Sequence, residues 1–302
     1  MTSVSFGVLG PVTAHGPAGE IPIRGARQRA VLARLLVARG RVVPVDRLVT
    51  DLWERPPDGA IGALRTFVGD LRRSLEPDRP PRQAGALLVT RPPGYALLAD
   101  DVDALAFETA VGAARDLPPD AALRCLDGAL GRWRGPAYPE WAGAAWARAE
   151  IDRLDELRLL AVERRAEALL ALGRAGEAVT GLRAHVTGHP LREEGWRLLA
   201  LGLYRSARQA DALAALREAR ALLAGELGLD PGPALRRLEA GILAQSADLD
   251  RHEAASPAVP SASPASHLSP ASDLSPASDL SPASDLSPAS DLSPASDLSP
   301  AS

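Results

Sequence analysis

The sequence predicts a mainly α-helical protein with two folded parts and a disordered tail, and three observations carry that expectation. Residues 4 to 98 mix short alternating apolar runs with three amphipathic helical patterns. Residues 105 to 245 are Ala/Leu-rich and almost wholly helical in period, broken at Pro118-Pro119, Gly135-Pro136, Pro190 and Pro231-Gly232-Pro233. From Ser269 to Leu298 the hexamer Ser-Pro-Ala-Ser-Asp-Leu repeats five times without error. One isolated Leu per hexamer buries too little apolar surface to offset ordering entropy, so Ala254 to Ser302 is expected to be disordered.

Taken in order, Val4, Phe6 and Val8 alternate with Ser5 and Gly7, and Ile21 and Ile23 alternate again after a Gly/Pro-rich turn, which predicts short antiparallel strands. Gly25 to Arg39 sets Ala30, Val31, Leu32, Leu35 and Leu36 at helical spacing, with arginines outside and Gly40 closing the pattern. Val45 to Glu54 repeats the pattern more briefly, and Pro56-Pro57 ends it. A third helix follows with Asp58 as its expected N-cap and Ile61, Leu64, Phe67, Val68, Leu71 and Leu75 on one stripe. Leu87 to Thr90 and Ala96 to Leu98, around Arg91-Pro92-Pro93-Gly94-Tyr95, read as a terminal hairpin. Ala99 to Asp103 then reads as a linker, dividing residues 1-98 from a helical part at 104-247.

Composition narrows the chemistry. All 34 basic residues are Arg, the bias of a GC-rich coding sequence, and the missing Lys excludes Schiff-base catalysis and a phosphate-binding P-loop. The single Cys125 forms neither an internal disulfide nor a thiolate cluster, which fits a reducing cytoplasm. No apolar run approaches the length of a membrane span and no leader pattern opens the chain, so no membrane association is expected. The net charge is −4, yet residues 1 to 98 hold 14 Arg against 8 acids, a net of +6 that leaves −10 for the remainder. A basic part joined to an acidic one is the footprint of a nucleic-acid-binding domain carrying a regulatory domain; a merely solvated Arg-rich surface is the alternative.

The third helix offers the candidate contacts. Opposite its apolar stripe stand Gly62, Arg65, Thr66, Gly69, Arg72 and Arg73. Small residues beside Arg and Thr suit a helix entering a major groove about 12 Å wide, where Arg reaches guanine edges or phosphates. Arg91 at the hairpin tip is placed to enter a minor groove or hold a phosphate. Strands, three helices and a terminal hairpin make a winged helix-turn-helix, and RTFVGDLRRSL followed by LLVTRPPGYAL resembles the OmpR-type DNA-binding domain of the Streptomyces antibiotic regulatory protein family. Asp70 departs from that family, which often has a neutral or basic residue before the Leu-Arg-Arg; an acid there weakens phosphate binding unless Arg72 or Arg73 neutralises it.

In the helical part a shift of 34 residues superimposes Leu169 on Leu203, Glu177-Ala178 on Asp211-Ala212, and Leu182 on Leu216. That is the tetratricopeptide period. RWRGPAYPEW at Arg132 to Trp141, the run from Arg148 to Arg174, and ELGLDPGPALRRLEAGIL at Glu226 to Leu243 resemble the bacterial transcriptional activation domain that follows the winged helix in the same family. The resemblance covers roughly residues 4 to 245, in the family's order. It implies activation of a secondary-metabolite gene cluster, binding to direct repeats in double-stranded DNA as a homodimer or higher assembly, and contact with RNA polymerase holoenzyme. It also aligns the chain with short family members lacking an appended ATPase, acting in the cytoplasm at the nucleoid.

Other features carry less. His185 and His189 stand four apart without a third ligand, so no metal is expected, and no cofactor motif is present. Trp133, Tyr138, Trp141 and Trp146 are expected to cluster as core. The lack of Lys, of a nucleophile elbow and of an acid/base cluster argues against an enzyme. A protein-binding repeat scaffold, or a repressor of the same architecture, are the rival readings.

Overall fold

The structure, a computed structural model, describes residues 4–80 and 83–249. The repeat tail, expected to be disordered, lies outside the described residues. Strands β1 (Ser5–Gly7), β2 (Thr13–Gly16) and β3 (Gly19–Glu20) form an antiparallel sheet in that order, with Phe6 opposite Ala14. The return strand comes earlier than the Ile21/Ile23 alternation predicts. A two-residue turn at Pro17-Ala18, made possible by Gly19 at φ +109°, sends the chain back at once. Ile21 only extends the ladder, its amide donating to the Ala14 carbonyl at 2.8 Å.

Helix α1 (Ala26–Val37) buries Val31, Leu32, Leu35 and Leu36, the face its spacing predicts. A second sheet takes β4 (Val43–Pro44), β5 (Leu88–Arg91) and β6 (Gly94–Leu97) in the order β4-β6-β5. Between its strands in sequence lie α2 (Val45–Leu52) and α3 (Ala60–Leu75). Gly94 is required by this pairing, because a Cβ there would sit 1.8 Å from the Val43 carbonyl oxygen. Two details of α3 differ from expectation. Its N-cap is Gly59 without a side-chain bond, not Asp58, because Asp58-Gly59 form a turn in which the Pro57 carbonyl accepts the Ala60 amide at 2.9 Å. Ile61 is 44% exposed rather than part of the buried stripe, since the first turn buries Ala60 (3%) instead and turns Ile61 to the edge of that face.

The helical part consists of α4 (Asp103–Ala113), α5 (Pro119–Leu130), α6 (Ala145–Ala171), α7 (Ala175–Gly188), α8 (Glu193–Arg205), α9 (Gln209–Leu227) and α10 (Pro233–Leu243). The period of 34 holds in detail. Leu169 and Leu203 are fully buried, as are Ala178 and Ala212 at the following helix crossing. The turns repeat too: the Arg174 amide donates to Leu169 and the Arg208 amide to Leu203, and Arg174–Glu177 is matched by Arg208–Asp211. Positive φ falls at Gly173 (73°) and Ala207 (58°), one place before each of these arginines. One buried polar group had no sequence signal: Glu163 of α6, whose Oε1 lies 3.2 Å from His185 Nε2 on α7 and 2.5 Å from Arg192 Nε. His185 thus joins α6 to α7.

The segment Ala99–Asp103 is not the free linker its composition predicts. The Asp101 carbonyl accepts the Phe6 amide at 2.9 Å, and the Asp103 carboxylate accepts the amides of Val8 (2.8 Å) and Leu9 (3.2 Å). From further along, the amides of Arg134 and Tyr138 donate to the carbonyls of Leu9 (2.7 Å) and Val8 (3.1 Å). The first sheet is therefore closed by the chain that follows the hairpin, and the buried residues from Val4 to Ile242 form one connected core. The aromatics divide instead of clustering: Trp133 packs edge-on to Phe107 at 5.4 Å, Trp141 pairs with Trp146 at 6.1 Å, and Tyr138 is buried among the sheet-closing bonds. That burial pushes the Tyr138 hydroxyl far above its ordinary pKa, with Glu150 and Asp103 adding to the shift.

Candidate nucleic-acid interface

Helix α3 is held by Leu64, Val68, Leu71 and Leu75, all buried against α1, α2 and β5. The face opposite shows Ile61, Gly62, Arg65, Thr66 and Arg73 to solvent. Nothing lies within 4 Å of a Cβ added at Gly62 or Gly69, so internal packing does not demand their small size. Their effect is outward: they lower the helix surface where a second body approaches. Thr66 bonds back to the Gly62 carbonyl through its Oγ1 at 3.2 Å, which fixes the hydroxyl beside Arg65.

The two adjacent arginines divide their work. Arg72 Nε donates to the Leu88 carbonyl at 2.8 Å and its Nη2 to Thr90 Oγ1 at 2.7 Å, while the guanidinium lies over the Tyr95 ring at 5.9 Å. It ties the helix to the hairpin. Burial lowers its pKa, with Tyr95 opposing, though an arginine remains charged throughout the physiological range. Arg73 projects instead, 79% exposed, and pairs through Nη1 with Asp70 Oδ1 at 3.0 Å. Asp70 also accepts Gln28 Nε2 of α1 at 2.9 Å. The acid that departs from the family pattern is thus neutralised by Arg73 and serves to fix α3 on α1.

Arg91 ends β5 in register with Gly94 and is exposed beside the Pro92-Pro93 turn, whose peptide bond is cis. The hairpin stands next to the C-terminal half of α3 because Arg72 holds it there. Two contributors escaped the sequence reading. Ile61 carried a signal that pointed inward, since its place in the stripe fits burial. Gln28 carried none, being one polar residue among the arginines of α1.

A helix about 10–12 Å across its side chains fits the major groove. Here the outward face offers bidentate donors (Arg65, Arg73), a hydroxyl (Thr66) and an apolar group (Ile61) of the kind that meets thymine methyls. No helix among the described residues is long and apolar enough to cross a membrane.

Comparison with known proteins places these features. Residues 23–97 match the family described as transcriptional regulatory protein, C terminal, and residues 102–243 match the bacterial transcriptional activator domain. The chain is 36% identical over 255 residues to the transcriptional regulatory protein MoaR1 of Mycobacterium tuberculosis, covering 80% of each protein. It is 38% identical over 252 residues to the transcriptional regulator RedD of Streptomyces coelicolor, covering 80% of this chain and 71% of that one. Against the transcriptional regulatory protein EmbR of M. tuberculosis it is 39% identical over 250 residues, and the alignment takes in 80% of this chain but only 64% of EmbR. The solved structure of that EmbR in complex with a low-affinity phosphopeptide superimposes with a TM-score of 0.75 at 38% identity, over 81% of this chain and 66% of the other.

Proposed function

The chain belongs to the Streptomyces antibiotic regulatory protein family of transcription regulators, and from that premise we propose that it activates transcription by sequence-specific binding of double-stranded DNA through α3. The observation that carries the reading is the outward face of α3 beside the hairpin. Arg65, Thr66, Gly69 and Ile61 enter the major groove in this scheme, Arg73 meets a phosphate, and Arg91 reaches the adjacent backbone or minor groove. Arg72 acts from behind as the brace between helix and hairpin. The helical part, residues 104–247 in this division, contacts RNA polymerase holoenzyme, and a homodimer or higher assembly occupies direct repeats. The genes controlled belong to a secondary-metabolite cluster, and the protein works in the cytoplasm at the nucleoid without catalysing a reaction.

Mobility shifts on a cognate site, selected from random duplexes, test the assignment. Arg65→Ala is expected to cost about 1–3 kcal/mol on the cognate site and much less on random DNA, as a lost base contact does. Arg73→Ala and Arg91→Ala are expected to weaken both alike, each reducing the salt slope by about one unit. Unchanged affinity in all three would remove α3 and the hairpin from DNA binding.

A further inference from the structure

A groove of about 920 Å³ runs along the helical part between α5, α6 and α8. Its floor is apolar, with Ala122, Leu126, Ala168 and Leu198 buried beneath it and Leu117 40% exposed at its edge. Four arginines line it, Arg115, Arg164, Arg197 and Arg205, against the acids Glu167 and Asp248. This positive lining lies in the portion of the chain beyond residue 98, whose net charge is −10. A cationic channel within an acidic region is not the average surface of that region.

Most of the arginines are fixed in place before any ligand arrives. Arg164 Nη1 donates to the Val111 carbonyl at 2.7 Å, Arg205 Nη1 to the Leu170 carbonyl at 3.2 Å, and Arg197 is held by Glu194 and, at 3.4 Å, Glu167. Arg115, on the 3-10 turn Ala114–Asp116, is exposed and has no ionic partner among the described residues.

The chain itself places an acid at one end of this groove. After α10 the 3-10 turn Ala247–Leu249 brings Asp248 to the lining, while Leu249 packs on the core, 3.2 Å from a Cβ position at Gly241. Arg205 Nε donates to the Leu249 carbonyl at 2.8 Å. An acid therefore already stands at one end of the groove, and the leucine that follows it sits against Leu238 in the adjoining cleft, which shares Arg197 and Leu201 with the groove.

We propose that this groove is a docking site for an acidic, leucine-bearing segment of a partner protein, its acids meeting Arg115 and Arg197 and its leucines lying over Ala122, Leu126 and Leu198. Small side chains at 122, 168 and 171 give the depth a leucine needs. Arginines drawn from different helices select an anionic chain, and the apolar floor disfavours a nucleic acid, whose phosphates find no use for it. The site shares no residue with α3 or the hairpin, so it stands or falls apart from the DNA-binding reading.

The test is fluorescence anisotropy of a labelled peptide, three copies of Ser-Ala-Asp-Leu, titrated with the full chain at low salt. Saturable binding is expected, weakened at least tenfold by Arg115→Glu and also reduced by Leu117→Ser. Both residues are exposed, so unchanged melting temperatures will show intact folds. Peptides with Asn for Asp, or Ser for Leu, are expected to bind at least tenfold more weakly. No saturation at millimolar peptide, equal binding of the Asn peptide, or indifference to Arg115→Glu would each overturn the proposal. Displacement of the peptide by unrelated duplex DNA would reassign the groove to nucleic acid. Binding that emerges only after removal of residues 257–302 would give it to the Asp-Leu repeats of this chain and refute the partner assignment.

Discussion

Replacement of Asp103 by alanine asks how strongly the first sheet depends on the chain that follows the hairpin. The carboxylate is 15% exposed and accepts the Val8 and Leu9 amides and, at 3.3 Å, Arg134 Nη2. Val8 and Leu9 are themselves wholly buried, so their amides reach no water when the carboxylate is gone. Each orphaned buried donor costs about 1–3 kcal/mol, and two set the loss near about 3 kcal/mol once some relaxation is allowed. At about 2–4 °C per kcal/mol for a folded unit of this size, the melting temperature of Asp103→Ala is expected to fall by about 6–12 °C. Asp103→Asn should recover only part of this, because one amide oxygen accepts one donor while the amide NH₂ faces the other. Circular dichroism melts give the loss, and hydrogen exchange at Val8 and Leu9 locates it. A melting temperature within about 2 °C of the unaltered chain, with both amides still protected, would refute the reasoning. A fragment ending at Asp100 loses these bonds together with those of Arg134 and Tyr138, and is expected to melt lower than Asp103→Ala.

Arg72→Ala is expected to lower DNA affinity and also the melting temperature, by a few degrees, because it releases the hairpin from α3; a pure phosphate contact would leave stability unchanged. Glu163→Gln tests the buried pair in the helical part. Burial alone would raise the Glu163 pKa, but bonds from His185 and Arg192 outweigh it and hold the carboxyl below its ordinary value. A depressed pKa gives stability that is present above the unfolded value, about 4.3, and lost as pH falls through the folded one. The melting gap between the unaltered chain and Glu163→Gln should therefore narrow as pH falls below about 4.3; a gap that widens on acidification would refute the ionic role.

What the sequence made legible was local or periodic. The repeat of 34 residues appears in apolar positions, and the turns between helices follow because Arg174 and Arg208 occupy the same place in each unit. The face of α3 was legible for the same reason, as were the arginines on it. Closure of the first sheet was not, since Asp103 meets an amide 95 residues away and nothing in its neighbourhood distinguishes it from the other acids of a polar run. Arg72 and Arg73 look alike in sequence; only the position of β5 decides that one is a brace and the other a projecting charge. Ile61 fits a buried stripe by spacing, yet it lies at that stripe's edge, and the neighbours of α3 cover Ala60 and Leu64 but not the edge. Periodicity fixes which way a side chain points, and only the tertiary arrangement fixes what it meets.

The shared core has a consequence for how the molecule unfolds. Helix α1 touches α3 on one side, with Gln28 donating to Asp70, and meets α6 on another, where Arg34 lies 6.0 Å from the Trp146 ring. The same Arg34 binds Asp51 of α2 through Nε at 2.7 Å, with Asp51 only 8% exposed. The helix on which α3 rests is thus bonded to both parts, and the first sheet is closed by loops of the second. Were the two parts independent domains, calorimetry would give two transitions with separate midpoints. Here the loss of the helical part strips α1 and the first sheet of their partners, so the expected result is one transition for the folded unit, with calorimetric and van't Hoff enthalpies equal. Two resolved transitions, with Asp103→Ala shifting only one of them, would show that the core is divided and that the bonds across Ala99–Asp103 do not couple its parts.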